Sequence, residues 1–192
     1  MQQTSLYMAP KGHNLKACLL LLTMLAVTAA AQLANVTKAS AQEFPVPADA
    51  NQYILDQTNA YRAQKGLPAL SVTPRPNIAA DHYAHYLATH TGWDNNPHGA
   101  DGKDPAGRVT AAGGKFCKIW ENVHTSWTKP NKDDTITAME NAMTFWKTSP
   151  GHEANLRSAS DHMGIGVAGW KAGDEWHYVE VQDFVDTSCL PK

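Results

Sequence analysis

Cysteine is scarce in this chain, at three in 192 residues. That excludes a small scaffold stapled by many disulfides, so the fold must be held by an apolar core. An excess of positive charge is missing too: 16 Lys+Arg stand against 18 Asp+Glu. Capture of nucleic acid, or of an anionic membrane surface, by long-range electrostatics is therefore excluded. No serine sits in a Gly-x-Ser-x-Gly elbow, which removes the hydrolases built on that turn. No Gly-rich loop suits a phosphate. Gly164-Ile165-Gly166 is short and lies inside a strand-like run. Repeats and low-complexity tracts are absent as well.

Only one long apolar run is present, and it lies at the N-terminus. Lys11 and Lys16 precede an apolar stretch from Ala17 to Ala31, and Ala39-Ser40-Ala41 follows with small residues. The run is short for a membrane span and its Ala-rich end suits cleavage. Residues 1–41 are expected to be a signal peptide, leaving no stable membrane insertion after cleavage. Cys18 precedes the apolar run, the wrong place for a lipid anchor. Cleavage would leave 13 Lys+Arg against 18 Asp+Glu, a net charge of −5 with histidine neutral. Residues 42–49 then form an extended leader and 50–192 a single domain, a size that buries a substantial core. In an oxidising compartment the remaining pair, Cys117 and Cys189, implies a disulfide, with free or metal-binding thiols as the alternative.

Periodicity places helices first and strands last. Asp49 and Gln52 resemble a capping box, and Ile54, Thr58 and Tyr61 keep helical spacing until Lys65-Gly66. A second helix is expected from Pro76 to about His90, with Ile78, His82, His85, Tyr86 and Thr89 on one face. Residues 92–114 read as a long surface loop carrying His98. Asp134 can cap a third helix through Met139, Met143 and Trp146, which Pro150-Gly151 ends. Short strands are expected near Glu121. Two more, 163–169 and 176–184, flank a turn at Lys171-Ala172-Gly173-Asp174. Most of the six tryptophans are expected in the core; one or two at a groove rim would suggest a lipid or glycan surface.

Four motifs put a histidine or carboxylate beside Gly or Pro. They are His98-Gly99 with Asp101-Gly102 and Arg108-Val109; Glu121-Asn122-Val123; Trp146 running into Ser149-Pro150-Gly151-His152-Glu153-Ala154-Asn155-Leu156; and His162-Met163-Gly164-Ile165-Gly166-Val167. In this order they resemble the CAP superfamily of cysteine-rich secretory, antigen 5 and pathogenesis-related proteins, in its bacterial SCP-like form. The resemblance covers residues 50–186. It implies an α+β fold, a three-layer α-β-α sandwich around a small, mostly antiparallel sheet, and a central cleft lined by two histidines and two acids. Matched by motif, His98 and His152 are the histidines and Glu121 the first acid. Trp120 stands where the family has Gly, so a different backbone shape is expected there. The second acid has no clear counterpart; Glu140 is far upstream and Glu153 points elsewhere.

Two imidazoles and a carboxylate could hold zinc and leave a position for water. His98 and His152 are thus the candidate metal ligands, Glu121 the candidate catalytic group. The same groups could instead hydrogen-bond a polar or anionic ligand, or each other. His82, His85 and His90 read as core-edge residues bonded to backbone or tyrosine hydroxyls. His124 faces the side opposite Glu121 if the segment is a strand, and His162 is structural. The expected function is a secreted (extracellular or periplasmic), monomeric binding module for a lipid, sterol, peptide or glycan, with no required cofactor. The alternatives are a metal-dependent hydrolase and a structural protein whose partner surface lies outside the cleft.

Overall fold

The structure, a computed structural model, describes residues 42–44, 46, 49–90, 92–128 and 135–191. The expected signal peptide and the Asp134 cap lie outside the described residues.

Ten elements follow in order: β1 (Gln42–Phe44), α1 (Asp49–Gln64), β2 (Ser71–Val72), α2 (Pro74–Thr89), α3 (Pro105–Ala111), β3 (Lys118–Thr128), α4 (Thr135–Thr148), α5 (Pro150–Leu156), β4 (His162–Ala172) and β5 (Glu175–Asp186). The sheet order is β1-β4-β5-β3, and β2 lies parallel to β4 at its His162 end. All other pairings are antiparallel. In the described residues β3 is an edge strand bonded only to β5.

Alternation along the strands sorts side chains into two layers. Met163, Ile165, Val167, Tyr178 and Phe184 pack under α1 and α4 with Ile54, Met139, Met143 and Trp146. Ala168, Val123, Val179 and Val181 pack under α2 with Ala80, Tyr83, Ala84 and Leu87. The three-layer α-β-α arrangement, with its mostly antiparallel sheet, matches the expectation from the motifs. The face of α2 turned to the sheet is the alanine-rich one. Ile78, His82, His85 and Thr89 are on the outside.

Alanines on α2 go with glycines on β4. A Cβ on Gly164 would come within 2.2 Å of the Pro76 carbonyl group, and one on Gly166 within 2.1 Å of the Ala80 oxygen. The helix backbone therefore rests directly on the strand. The Asn77 side chain accepts the Ile165 N–H at 3.2 Å and pins the helix start there.

Four details differ from the sequence expectation. α2 begins at Pro74, since a helix's first turn has no N–H partners and accepts both prolines. The 92–114 segment contains α3, capped by Asp104 accepting from the Gly107 N–H at 2.7 Å. Pro150 opens α5 as well as ending α4; extended backbone at Ser149 separates the two. β3 is 11 residues long, so Trp120 sits in extended strand opposite Phe184, with no turn. Of the tryptophans only Trp146 is fully buried, and Trp127 is exposed.

Cys117 and Cys189 form the disulfide, fastening the residue before β3 to the tail after β5. Arg62 is buried with no carboxylate partner. It donates instead to the carbonyls of Pro68, Leu156, Ser158 and Ser160, closing the C-terminal end of α5.

Candidate functional site

Glu121 occupies β3 on the α2 side of the sheet, opposite Asp183 of β5. The loop after α2 brings His98 to it, Nδ1 to Oε1 at 2.8 Å. From α3, the Arg108 guanidinium donates to the other oxygen at 2.5 Å and to Asp101 at 3.0 Å. Arg108 also lies 3.4 Å from the centre of the Tyr83 ring. Burial alone would lower the Arg108 guanidinium, but Glu121 reverses this and raises it above its ordinary value. The carboxylate is buried while His98 is nearly half exposed. Because a carboxylate accepts from Nδ1–H, neutral His98 presents the lone pair of Nε2 outward.

His152 reaches the same cleft from the other side of the sheet. Its helix is held to β3 by a polar network. Asn155 donates to the Glu121 carbonyl and to the Asn122 side chain, both at 3.0 Å. Asn122 donates to Gln182 and to the His152 carbonyl, and Gln182 continues to Thr58 of α1 at 2.8 Å. The asparagines of Glu-Asn-Val and of the Gly-His segment thus locate His152 beside the strand that carries Glu121. His152 Nδ1 meets the Ser149 hydroxyl at 2.9 Å. Burial first, then the nearby His98 and His124, lowers its pKa.

The third imidazole is His124. It faces the side opposite Glu121, as expected for a strand, yet it lines the same cleft because β3 is an edge and the cleft wraps around it. This cavity of about 300 Å³ runs from Trp93 and His98 past Val123 and His124 to Phe145 and His152. Phe145 is 43 % exposed and lies between His124 and His152, with ring centres 4.8 and 5.1 Å away. Behind His124, Glu180 is fully buried and bonded to His124 Nδ1 and the Ser126 hydroxyl. Burial raises Glu180 above the ordinary carboxylate range, against the pull of these two partners.

The structure thus brings His98, Glu121 and His152 together and adds Arg108, His124, Phe145, Asp183 and Glu180. Neither candidate for the second acid reaches the cleft. Glu153 binds the Tyr61 hydroxyl and Arg157, and Glu140 faces Tyr53. Asp183 and Glu180 betray themselves in the sequence as acids inside an otherwise apolar strand. The outlying histidines also differ from expectation. His82 is exposed, His85 lies 3.8 Å from Asp81, and His90 takes the expected backbone bond, to the Tyr86 carbonyl. His162 bonds the Ser71 hydroxyl at the β2–β4 junction.

As to metal, no group of three or more His, Cys, Asp or Glu able to hold an ion occurs among the described residues. Both Glu121 oxygens are already engaged by His98 and Arg108. With Glu121 engaged, the expected set of His98, His152 and Glu121 does not fit a three-ligand zinc centre; imidazoles facing an open cleft are what the site supplies.

Helices on both faces of a mostly antiparallel sheet define an α+β sandwich domain, here with an imidazole-lined cleft at a sheet edge. The profile of the Cysteine-rich secretory protein family matches residues 55–184, and the chain belongs to that family. Two solved structures share the fold. An outer surface protein of Borrelia burgdorferi is 16 % identical with a TM-score of 0.55, covering 76 % of this chain and 99 % of its own. An extracellular protein containing a SCP domain from Bacillus anthracis is 19 % identical with a TM-score of 0.51, covering 75 % of this chain and 45 % of its own. No curated protein matches the chain.

Proposed function

We propose that this protein is an exported binding module whose cleft around β3 takes a polar ligand, a short peptide or glycan fragment, in preference to a lipid or sterol. The observation that carries this reading is the lining of the cleft. His98, His124 and His152 each have Nδ1 bonded internally, so their orientation is set before a ligand arrives. The exposed Phe145 ring between two of them offers a stacking surface. Preset polar groups beside an aromatic face suit hydrogen-bonding ligands. A cavity of about 300 Å³ is also small for a sterol. Export rests on the N-terminal pattern and is supported by the disulfide; no described helix is long and apolar enough to cross a membrane.

A divalent ion in the cleft would meet imidazoles and no free carboxylate oxygen of Glu121. Hydrolysis gains no support from the site, because Glu121 is neutralised by Arg108 and bonded to His98, leaving neither oxygen poised to take a proton from water. The test is an NMR titration of the histidine rings with chitotriose, a tripeptide and zinc in turn. Saturable shifts at His98, His124 and His152 with either organic ligand are the expected result. Shifts with zinc alone would make the cleft a metal site, and shifts with none of the three would discard this reading.

A further inference from the structure

A second cavity, of about 540 Å³, opens on the outer side of α2 against α3 and the segment before it. It shares no residue with the lining of the imidazole cleft. Ile78, Ala79 and the Tyr83 and Tyr86 rings contribute apolar wall, and Ala111 and Ala112 close the α3 side. Arg75 and Lys103 contribute the cationic edge, with His82 beside them. Arg75 and His82 are exposed and have no hydrogen-bond or ion-pair partner among the described residues. Lys103 has only a long contact, 3.9 Å, to Asp101.

Asp101 is the one carboxylate on this wall, and Arg108 already neutralises it at 3.0 Å. Arg108 also lines the cavity, but its guanidinium is already taken up by Glu121, Asp101 and the carbonyls of His98 and Lys103. Arg75 and Lys103 thus place two exposed cations at a concave wall whose one carboxylate is held by Arg108. Charge of the minority sign gathered at a concave wall focuses the field on an anion.

We propose that this cavity between α2 and α3 is a binding site for a small organic anion, a carboxylate or phosphate on an aromatic or compact apolar body. The head group faces Arg75 and Lys103, while the body lies along Ile78 and the tyrosine rings. Guanidinium groups suit both head groups, since each oxyanion accepts two parallel N–H bonds. The volume falls within the range of small-molecule sites. This site is independent of the proposed role of the imidazole cleft.

The probe is 1-anilinonaphthalene-8-sulfonate, an aromatic anion whose fluorescence reports a shielded apolar surface. Binding to the full-length protein is expected to be saturable at one dye per chain. It should weaken roughly tenfold in Arg75→Ala/Lys103→Ala, two exposed side chains whose removal leaves the core intact. Ile78→Asp, which puts a negative charge in the wall, should weaken it at least as much, with circular dichroism unchanged in both variants. Competition then identifies the head group, through displacement by phenyl phosphate, by benzoate, or by both. Equal displacement by neutral benzyl alcohol, or unchanged dye affinity in the two folded variants, overturns the proposal.

Discussion

Glu121 and Asp183 stand opposite each other on neighbouring strands, on one face, and only Glu121 has a cation bonded to it. Asp183 is completely buried and neither of its oxygens has a hydrogen-bond partner among the described residues. Burial, and then repulsion from the Glu121 carboxylate, push Asp183 well above the usual carboxylate range, while Arg108 pulls the other way. The folded chain therefore holds a proton at Asp183 more tightly than the unfolded chain does.

The sign of the pH effect follows. Above the ordinary value of 3.8 the unfolded state binds fewer protons at Asp183 than the folded state does. Its contribution to stability is full below that value and falls as pH rises toward the folded pKa. Asp183→Asn keeps the shape and removes the titration. The variant should match the parent near pH 3 and exceed it in urea midpoint at about pH 7. A variant less stable than the parent at neutral pH would show Asp183 to be ionised.

Contact between α2 and β4 gives a contrast between two glycines. Gly166→Ala would drive a methyl into the Ala80 carbonyl and should cost about 3 kcal/mol in denaturant unfolding. Gly151→Ala in α5 meets nothing within 4 Å and should be neutral or gain about 0.5 kcal/mol. Equal effects would contradict the close approach of helix and strand.

His152 titrates below the ordinary 6.5 because of burial and of its two imidazole neighbours. With its folded pKa depressed, it contributes stability that is present above pH 6.5 and lost as pH falls through the folded value. Removing one neighbour, as in His98→Ala, should raise the pKa of His152 measured from its ring proton shifts. An unmoved titration would place the two rings too far apart to share a ligand.

How much of this was legible in the residues depends on the kind of signal. Motif order gave the layers and the positions of His98, Glu121 and His152, because turn residues and polar side chains at fixed spacing leave few topologies. The sheet-facing side of α2 was obscured since its contact is made by alanines. They carry little hydropathy contrast, and their role becomes apparent only with Gly164 and Gly166. Proline at the end of α4 has two meanings, stop and restart, which spacing alone does not separate. Strand alternation puts His124 on the side away from Glu121, but a one-dimensional pattern holds no information that β3 is an edge around which a cleft can wrap. Arg108 stands in a motif that gives it no role, for its partner lies on another element.

The Cys117–Cys189 bridge closes a separation of 72 residues. On chain-entropy grounds its reduction should cost roughly 4 kcal/mol, read as a lower urea midpoint in dithiothreitol. A midpoint indifferent to reductant would mean that the bridge does not restrain the unfolded chain.

The edge position of β3 also has a kinetic meaning. β4 and β5 are joined by a tight turn and can pair early, as a local hairpin. β3 reaches β5 only after α4, α5 and β4 have been brought between them in the chain. Non-local pairings of this kind close late, because the entropy of the intervening loop must be lost before the contact forms. The cleft is built on a strand that docks after the hairpin, so a partly folded intermediate would own a finished hairpin and no ligand site. Pulsed hydrogen exchange should accordingly protect the amides of Ile165 and Val181 before that of Val123, and ligand added during refolding should accelerate nothing until β3 has joined.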